Sequence, residues 1–309
     1  MTTSAKTDAP AVRAALQQLV DYAGLFPPAL LAMAPALEEY TAARRGPFGW
    51  MLGRFIVPAS RIGEVLQLCE AAGEPVALSA IVDAGGQPRT WLANVQQALS
   101  QLSALGPSET RVRIEALEVA LPPLATQRET YDASIGQFAA ALRQAGLEDV
   151  PAFVELPRDA RWSGELNPAL YAMARHRLGA KLRCGGVVPQ AFPSADEVAA
   201  FVSAAVGEYA LPIKCTAGLH HPVYHRDAPL DVMMHGFLNV LAACAFARGG
   251  ALPAELASIV ACTDAERLRP GAPGLSAEQL RETREKSFIA YGSCSFSEPV
   301  ADLQALGML

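Results

Sequence analysis

Apolar positions recur along this chain in two alternating rhythms. Short runs rich in β-branched and aromatic residues give way to Ala- and Leu-rich segments of helical period, and the exchange repeats from one end to the other, which is the pattern of successive βα units. The strand-like runs are YAGLF (22–26), GRFIVP (53–58), PVALSAIVD (75–83), RVRIEALEV (111–119), PAFVELP (151–157), AKLRCGG (180–186), LPIKCTAGL (211–219) and SFIAYGSCSF (287–296). Eight units of this kind close a barrel, so the pattern predicts an α/β chain folded as a single (β/α)8 TIM barrel.

Helix-start chemistry fills the spaces between the runs. Ser194 with Glu197, and Ser276 with Gln279, have capping-box spacing ahead of helical segments, and Asn167 followed by Pro168 reads as an N-cap with proline at the first helical position. At 309 residues the chain exceeds the barrel's typical size of about 250 residues. The surplus falls after the seventh strand, as an extended loop (222–234) and a helical insertion (251–286). Residues 1–9 read as a flexible N-terminal tail and 10–309 as one domain. A doubly wound open sheet is disfavoured, because no GxGxxG or GxxxxGK[ST] follows the first strand.

Strand parity then sorts the charges. Successive side chains on a strand face opposite ways, and the outward set must be apolar to meet the helices. In the seventh strand Ile213, Cys215, Ala217 and Leu219 form the apolar set, which sends Lys214, Thr216, Gly218 and His220 to the barrel axis. The same rule sends inward Lys181 and Arg183 from the sixth strand, Glu155 from the fifth, Arg113 and Glu115 from the fourth, Arg54 from the second, and Tyr291, Ser293 and Ser295 from the eighth. With Glu115 and Glu155 neutralising two of the inward cations, a positive surplus remains, suited to a carboxylate or phosphate substrate. Arg54 and Arg113 lie early in their strands, where a structural salt-bridge layer at the barrel bottom is the alternative to an anion site. Cys184, Cys215 and Cys294 fall on the outward set and read as packing residues.

Composition narrows the partners. The net charge of -6 is modest and holds no run of Lys and Arg, so neither nucleic acid nor a membrane surface is expected. No apolar run approaches the roughly 20 residues of a membrane helix. Six scattered cysteines without CxxC spacing fit a reducing, cytoplasmic setting. A small anionic molecule is the expected partner, and the pattern is compatible with a homo-oligomer.

The candidate chemistry centres on Lys214. A lysine among other cations and screened from water is the kind that becomes a neutral amine able to attack a carbonyl. At KCTAGL (214–219) the chain resembles the class I, Schiff-base aldolases of the deoxyribose-phosphate aldolase type, in which a barrel strand carries a lysine, three intervening residues including Thr, then Gly and an apolar residue. KLRCGG (181–186) supplies a second lysine strand ending in Gly-Gly. The segments DYAGLFPP, KCTAGLHHP, HGFLN and YGSCSFSEPVADLQALG together resemble an uncharacterised family of bacterial and plant proteins, a likeness that implies the barrel and no reaction.

The resulting expectation is a lyase- or aldolase-like enzyme acting on a small anionic carbonyl compound, needing no cofactor. Lys214 serves as Schiff-base or general-base lysine, Glu155 and His220 move protons, and Lys181 with Arg183 binds the anion. Glu115, Thr216, His221, His235, Asn239, Tyr291, Ser293 and Ser295 are further candidates for contact with substrate. The histidines carry a competing expectation, because four of the five lie between 220 and 235. His220, His221 and His225, with His235 nearby, would then hold a divalent metal, Zn or Mn, in a hydrolase or isomerase.

Overall fold

A computed structural model of the chain describes residues 8–69, 75–106, 109–126 and 129–309. Among them eight parallel strands close into a barrel: β1 (Val20–Tyr22), β2 (Leu52–Pro58), β3 (Val76–Ile81), β4 (Val112–Ala120), β5 (Ala152–Glu155), β6 (Gly179–Arg183), β7 (Ile213–Thr216) and β10 (Phe288–Ser293). Each strand pairs with its neighbours in sequence, and β10 pairs with both β7 and β1 to complete the ring. The expected (β/α)8 barrel is the observed one. The first strand begins earlier than its sequence pattern suggested, which puts Asp21 inside the barrel wall rather than ahead of it.

The helices α1 (Ala9–Leu16), α2 (Met33–Arg45), α3 (Ile62–Leu68), α4 (Pro88–Ser103), α5 (Tyr131–Ala145), α6 (Trp162–Arg175), α7 (Ala195–Val202), α8 (Phe237–Arg248) and α12 (Ser297–Ala305) accompany the strands. Of the expected tail, residues 1–7 lie outside the described residues, while Ala9 already belongs to α1, whose N-cap is the Asp8 carboxylate accepting from Ala11 N at 3.2 Å. Both capping boxes form, at Ser194 on α7 and at Ser276 on α11 (Ala277–Lys286). The Asn167–Pro168 start does not. The helix opens a turn and a half earlier at Trp162, with Pro168 inside it, because Trp162, Leu166, Ala169 and Leu170 supply one continuous buried stripe.

The surplus after β7 is a two-stranded antiparallel hairpin, β8 (His225–Asp227) with β9 (Val232–Met234), followed beyond α8 by α9 (Pro253–Val260), α10 (Ala265–Leu268) and α11. These helices pack against α7, α8 and α1. No helix among the described residues is long and apolar enough to cross a membrane.

Interstrand register fixes which side chains face the axis. Glu155 lies beside Lys181, Lys181 beside Lys214, Lys214 beside Ala290, and Asp21 beside Gly292; residues side by side in a parallel sheet share a face. One irregularity resets the count. On β4, Leu78 pairs with Ile114 and the next residue, Ser79, pairs with Ala116, so Glu115 is the extra residue of a β-bulge. Beyond it Ala116 and Glu118 turn inward while Leu117 and Val119 turn to the helices. Ala116, outward by plain alternation from Arg113, is thus turned inward, and Glu118 becomes an interior carboxylate.

Candidate active site at the barrel mouth

The barrel axis holds a chain of alternating charges. Lys214 Nζ donates to Asp21 Oδ2 at 2.6 Å, to Glu118 Oε1 at 2.6 Å and to Ser79 Oγ at 2.8 Å, so all three ammonium hydrogens have acceptors. Ser79 in turn donates to Glu118 Oε1 at 2.6 Å. Lys181 Nζ links Glu118 Oε2 at 2.8 Å to Glu155 Oε2 at 3.0 Å, and Arg183 Nε reaches Glu155 Oε1 at 2.9 Å. Three acids and three bases therefore interleave. On the axis, the positive surplus expected from the sequence is cancelled by Asp21 and Glu118, which were not counted among the interior groups.

Exposure and donor capacity separate the two lysines. Lys214 is 1% exposed, with the Phe153 ring 5.7 Å from its Nζ, and its neighbours are carboxylates rather than free cations. Lys181, paired with Lys214 on one side and Glu155 on the other, is 7% exposed and meets two carboxylate acceptors with its three hydrogens. Burial opposes its charge, but Glu118 and Glu155 outweigh burial and hold the ammonium above its usual range. Burial would likewise raise Glu155 and Glu118; their lysine and arginine partners prevail and keep both carboxyls below the usual carboxylate range.

Arg183 is half exposed at the strand end and faces a cavity of about 250 Å³ lined with Glu155, Leu156, Arg158, Trp162 and Gln190 among others. Arg158 is steadied by Glu197 at 3.1 Å. The cavity therefore has a carboxylate in its wall and two guanidinium groups on its rim. At the opposite end, Glu115 pairs with Arg113 and faces Arg54 Nε at 3.4 Å, and Arg54 N donates to Asp21 Oδ1 at 2.7 Å. Glu115, expected to contact substrate, sits instead in a salt-bridge layer with Arg54 and Arg113 at the barrel bottom, away from the cavity.

The eighth strand corrects another set. Tyr291 pairs with Cys215 and Ser293 with Tyr22, so Tyr291 and Ser293 lie on the outward face; the extra residue near Ile289 in β10 shifts the parity expected for them. Tyr291 stacks on Phe237 of α8 at 5.1 Å. Ser293 Oγ donates to Ser295 O at 2.7 Å, and Ser295 Oγ accepts from Glu298 N at 3.2 Å, so both serines shape the entry to α12. Thr216 keeps its inward place, beside Arg183 and Gly292.

Beyond Thr216 the strand ends, and parity with it. Ala217 and Gly218 both take left-handed backbone, with φ of 56° and 69°, which turns the chain away from the axis before His220. A Cβ on Gly218 would lie 2.9 Å from Cys184 O and 3.0 Å from Gly185 Cα. Gly218→Ala is expected to lower stability by about 1–3 kcal/mol, read from the urea midpoint, whereas Gly63→Ala, with nothing within 4 Å of the added carbon, serves as a control without that loss.

The histidines separate onto different partners. His220 Nδ1 lies 2.9 Å from Glu298 Oε2, His221 Nδ1 lies 2.5 Å from Asp302 Oδ2, and His225 Nδ1 lies 3.0 Å from Val223 O. His235 is fully buried, its Nε2–H donating to Pro193 O at 2.7 Å, and burial lowers its pKa despite that bond. Asn239 donates to Ile259 O and Cys262 O, both at 2.8 Å, and accepts from Tyr224 N. His235 and Asn239 therefore fasten the loop after β7 to the framework. Among the described residues no three His, Cys, Asp or Glu side chains converge on one point as a metal would require. Cys294 also departs from expectation: the chain has left β10, and Sγ lies 3.9 Å from His220 Nε2 instead of among Cys184, Cys215 and the helix layer.

Asp21, Ser79, Glu118 and Arg158 are the site groups that the sequence did not single out. Each had a local signal: Asp21 between Val20 and Tyr22, Ser79 within VALSAI, Glu118 within ALEVA, and Arg158 just past β5. No protein-family model matches the chain, and no curated protein matches it.

Proposed function

We propose that the chain is a barrel enzyme of lyase or aldolase type acting on a small carbonyl compound that carries a carboxylate or phosphate. The observation that carries this reading is Glu155, which pairs with Lys181 at 3.0 Å and lines a cavity together with Arg158 and Arg183. Guanidinium groups bind such anions bidentately, and Glu155, in contact with Lys181, is placed to take the proton that the ammonium must lose before the amine can attack a carbonyl. Between the two lysines suggested by the sequence, exposure and free donor capacity favour Lys181 as the attacking amine, with Lys214 ordering the carboxylates around it.

Substrate binding and activation are linked through Arg183. Its guanidinium is one of the two groups that hold the Glu155 carboxyl low; when the substrate's anion competes for that guanidinium, Glu155 becomes a stronger base for a proton of Lys181. The amine nitrogen then bonds to the carbonyl carbon, and the carbonyl oxygen leaves as water once protonated. A reducing, cytoplasmic setting is supported by six cysteines that are all free.

Borohydride reduction in the presence of a panel of oxo acids and aldehyde phosphates tests the reading. A reduced adduct is expected on the Lys181 peptide, lost in Lys181→Met, and Arg183→Gln is expected to raise KM by about ten-fold, roughly 1.4 kcal/mol of anion binding. An adduct on Lys214 instead would return the attack to that lysine. No adduct on either, with turnover of every carbonyl compound unchanged in Lys181→Met, would overturn the proposal.

A further inference from the structure

We infer that the barrel mouth carries a second reactive centre, in which Cys294 is a nucleophilic thiol, His220 its base and Glu298 the group that orients the base, built to take an acyl group from a small ester or thioester. The three residues come from different elements. Cys294 follows β10 directly, His220 lies in the loop after β7, and Glu298 sits in the first turn of α12. Sγ is 3.9 Å from His220 Nε2, and His220 Nδ1 is 2.9 Å from Glu298 Oε2.

Hydrogen-bond chemistry fixes the working tautomer. A carboxylate only accepts, so Nδ1 carries the hydrogen and Nε2 turns its lone pair toward the sulfur. A base held by an acid and aimed at a nucleophile is the triad arrangement, and its contacts are commonly loose until substrate is bound. Burial raises the Cys294 thiol above its usual range, while the backbone N–H of Ala29 opposes that rise by donating toward the sulfur. Reaction of that thiol therefore calls for a base.

The surroundings choose the chemistry. The groups acting on Cys294 are an imidazole, backbone N–H groups and carboxylates, with no second thiol, which suits acyl transfer better than disulfide exchange. As sulfur attacks the acyl carbon, its proton passes to His220 Nε2 and the C–S bond forms. The bond from carbon to the leaving oxygen or sulfur then breaks, and the imidazolium returns its proton to that leaving group. The acyl group stays on Cys294 as a thioester until water, giving a proton to the same imidazole, bonds to the acyl carbon; the C–S bond then breaks, the sulfur recovers that proton and the acid leaves. No redox partner is consumed.

The other cysteines provide internal controls. Cys69, Cys184, Cys215 and Cys244 are buried, and Cys262, half-buried like Cys294, faces the backbone oxygen of Asp264 rather than an imidazole. Peptide mass spectrometry of the full chain treated with iodoacetamide is expected to show Cys294 alkylated about ten-fold faster than Cys262, because His220 takes the thiol's proton as the sulfur attacks and so offsets the effect of burial. His220→Ala and Glu298→Gln are each expected to slow Cys294 while leaving Cys262 unchanged, by about a hundred-fold for the histidine. With 4-nitrophenyl acetate, one equivalent of nitrophenolate is released in a burst and an acetyl group is found on the Cys294 peptide. Labelling of Cys294 no faster than Cys262 would overturn the inference, as would unchanged labelling in both variants. So would rapid alkylation without acetylation, which would mark a reactive thiol that is not an acyl acceptor. Glu298→Gln, at a half-exposed position, keeps the test open should His220→Ala fold poorly.

Discussion

Lys214→Met is expected to cost about 3–5 kcal/mol, the penalty for removing one partner of a buried ion pair. Asp21 and Glu118 are 0% and 1% exposed, and methionine fills the lysine's length without donating a hydrogen bond to either. The loss is a large share of the roughly 5–15 kcal/mol by which a domain is stable, and guanidinium unfolding measures it directly. Adding Asp21→Asn and Glu118→Gln to the same chain should recover part of the loss, because the orphaned charges go with the lysine that balanced them. A midpoint unchanged by Lys214→Met alone would mean that the axial network does not hold the barrel together.

Acid is expected to dismantle the same network. Glu118 and Glu155 are held below the usual carboxylate range when folded, so the stability they contribute is present above their unfolded value of about 4.3 and is lost as pH falls below it. Each such carboxyl steepens the acid limb by up to about 1.4 kcal/mol per pH unit. Lys181 is held above its usual range, so its contribution is complete below about pH 10.4 and fades as pH rises through its folded value. Urea midpoints are expected to stay level from about pH 6 to 9 and drop steeply below about pH 4.5, given those reference values. Glu118→Gln, less stable at neutral pH, should show a shallower acid limb; an unchanged limb would show that other carboxyls govern acid unfolding.

The eight strands were legible because each is a short apolar run bounded by helical segments, and the ends of the strands were less so. Lys181, Lys214, Glu155 and Arg183 could be placed on the axis from alternation alone, since β5, β6 and β7 run without a bulge. Glu118 could not, because alternation counted from Arg113 meets the extra residue at Glu115 and changes face. Tyr291 and Ser293 were misassigned for the same kind of reason, through the irregularity in β10. His220 was misread by extending strand parity through Ala217 and Gly218, where the backbone is left-handed. The ion pairs themselves were beyond reach of the sequence. Asp21 and Lys214 lie 193 residues apart, and only closure of the barrel brings them to 2.6 Å.

The bulge on β4 acts on the barrel as a one-letter insertion acts on a reading frame. Upstream of Glu115 the strand is read in one phase, which delivers Arg113 and Glu115 to the floor; downstream it is read in the other, which delivers Glu118 to the two lysines. Had the strand run through Glu115 without the bulge, alternation from Arg113 would present Val119 to the axis and turn Glu118 toward the apolar helix layer. The chemistry of the axis thus depends on a spacing as much as on the identity of the residues it positions.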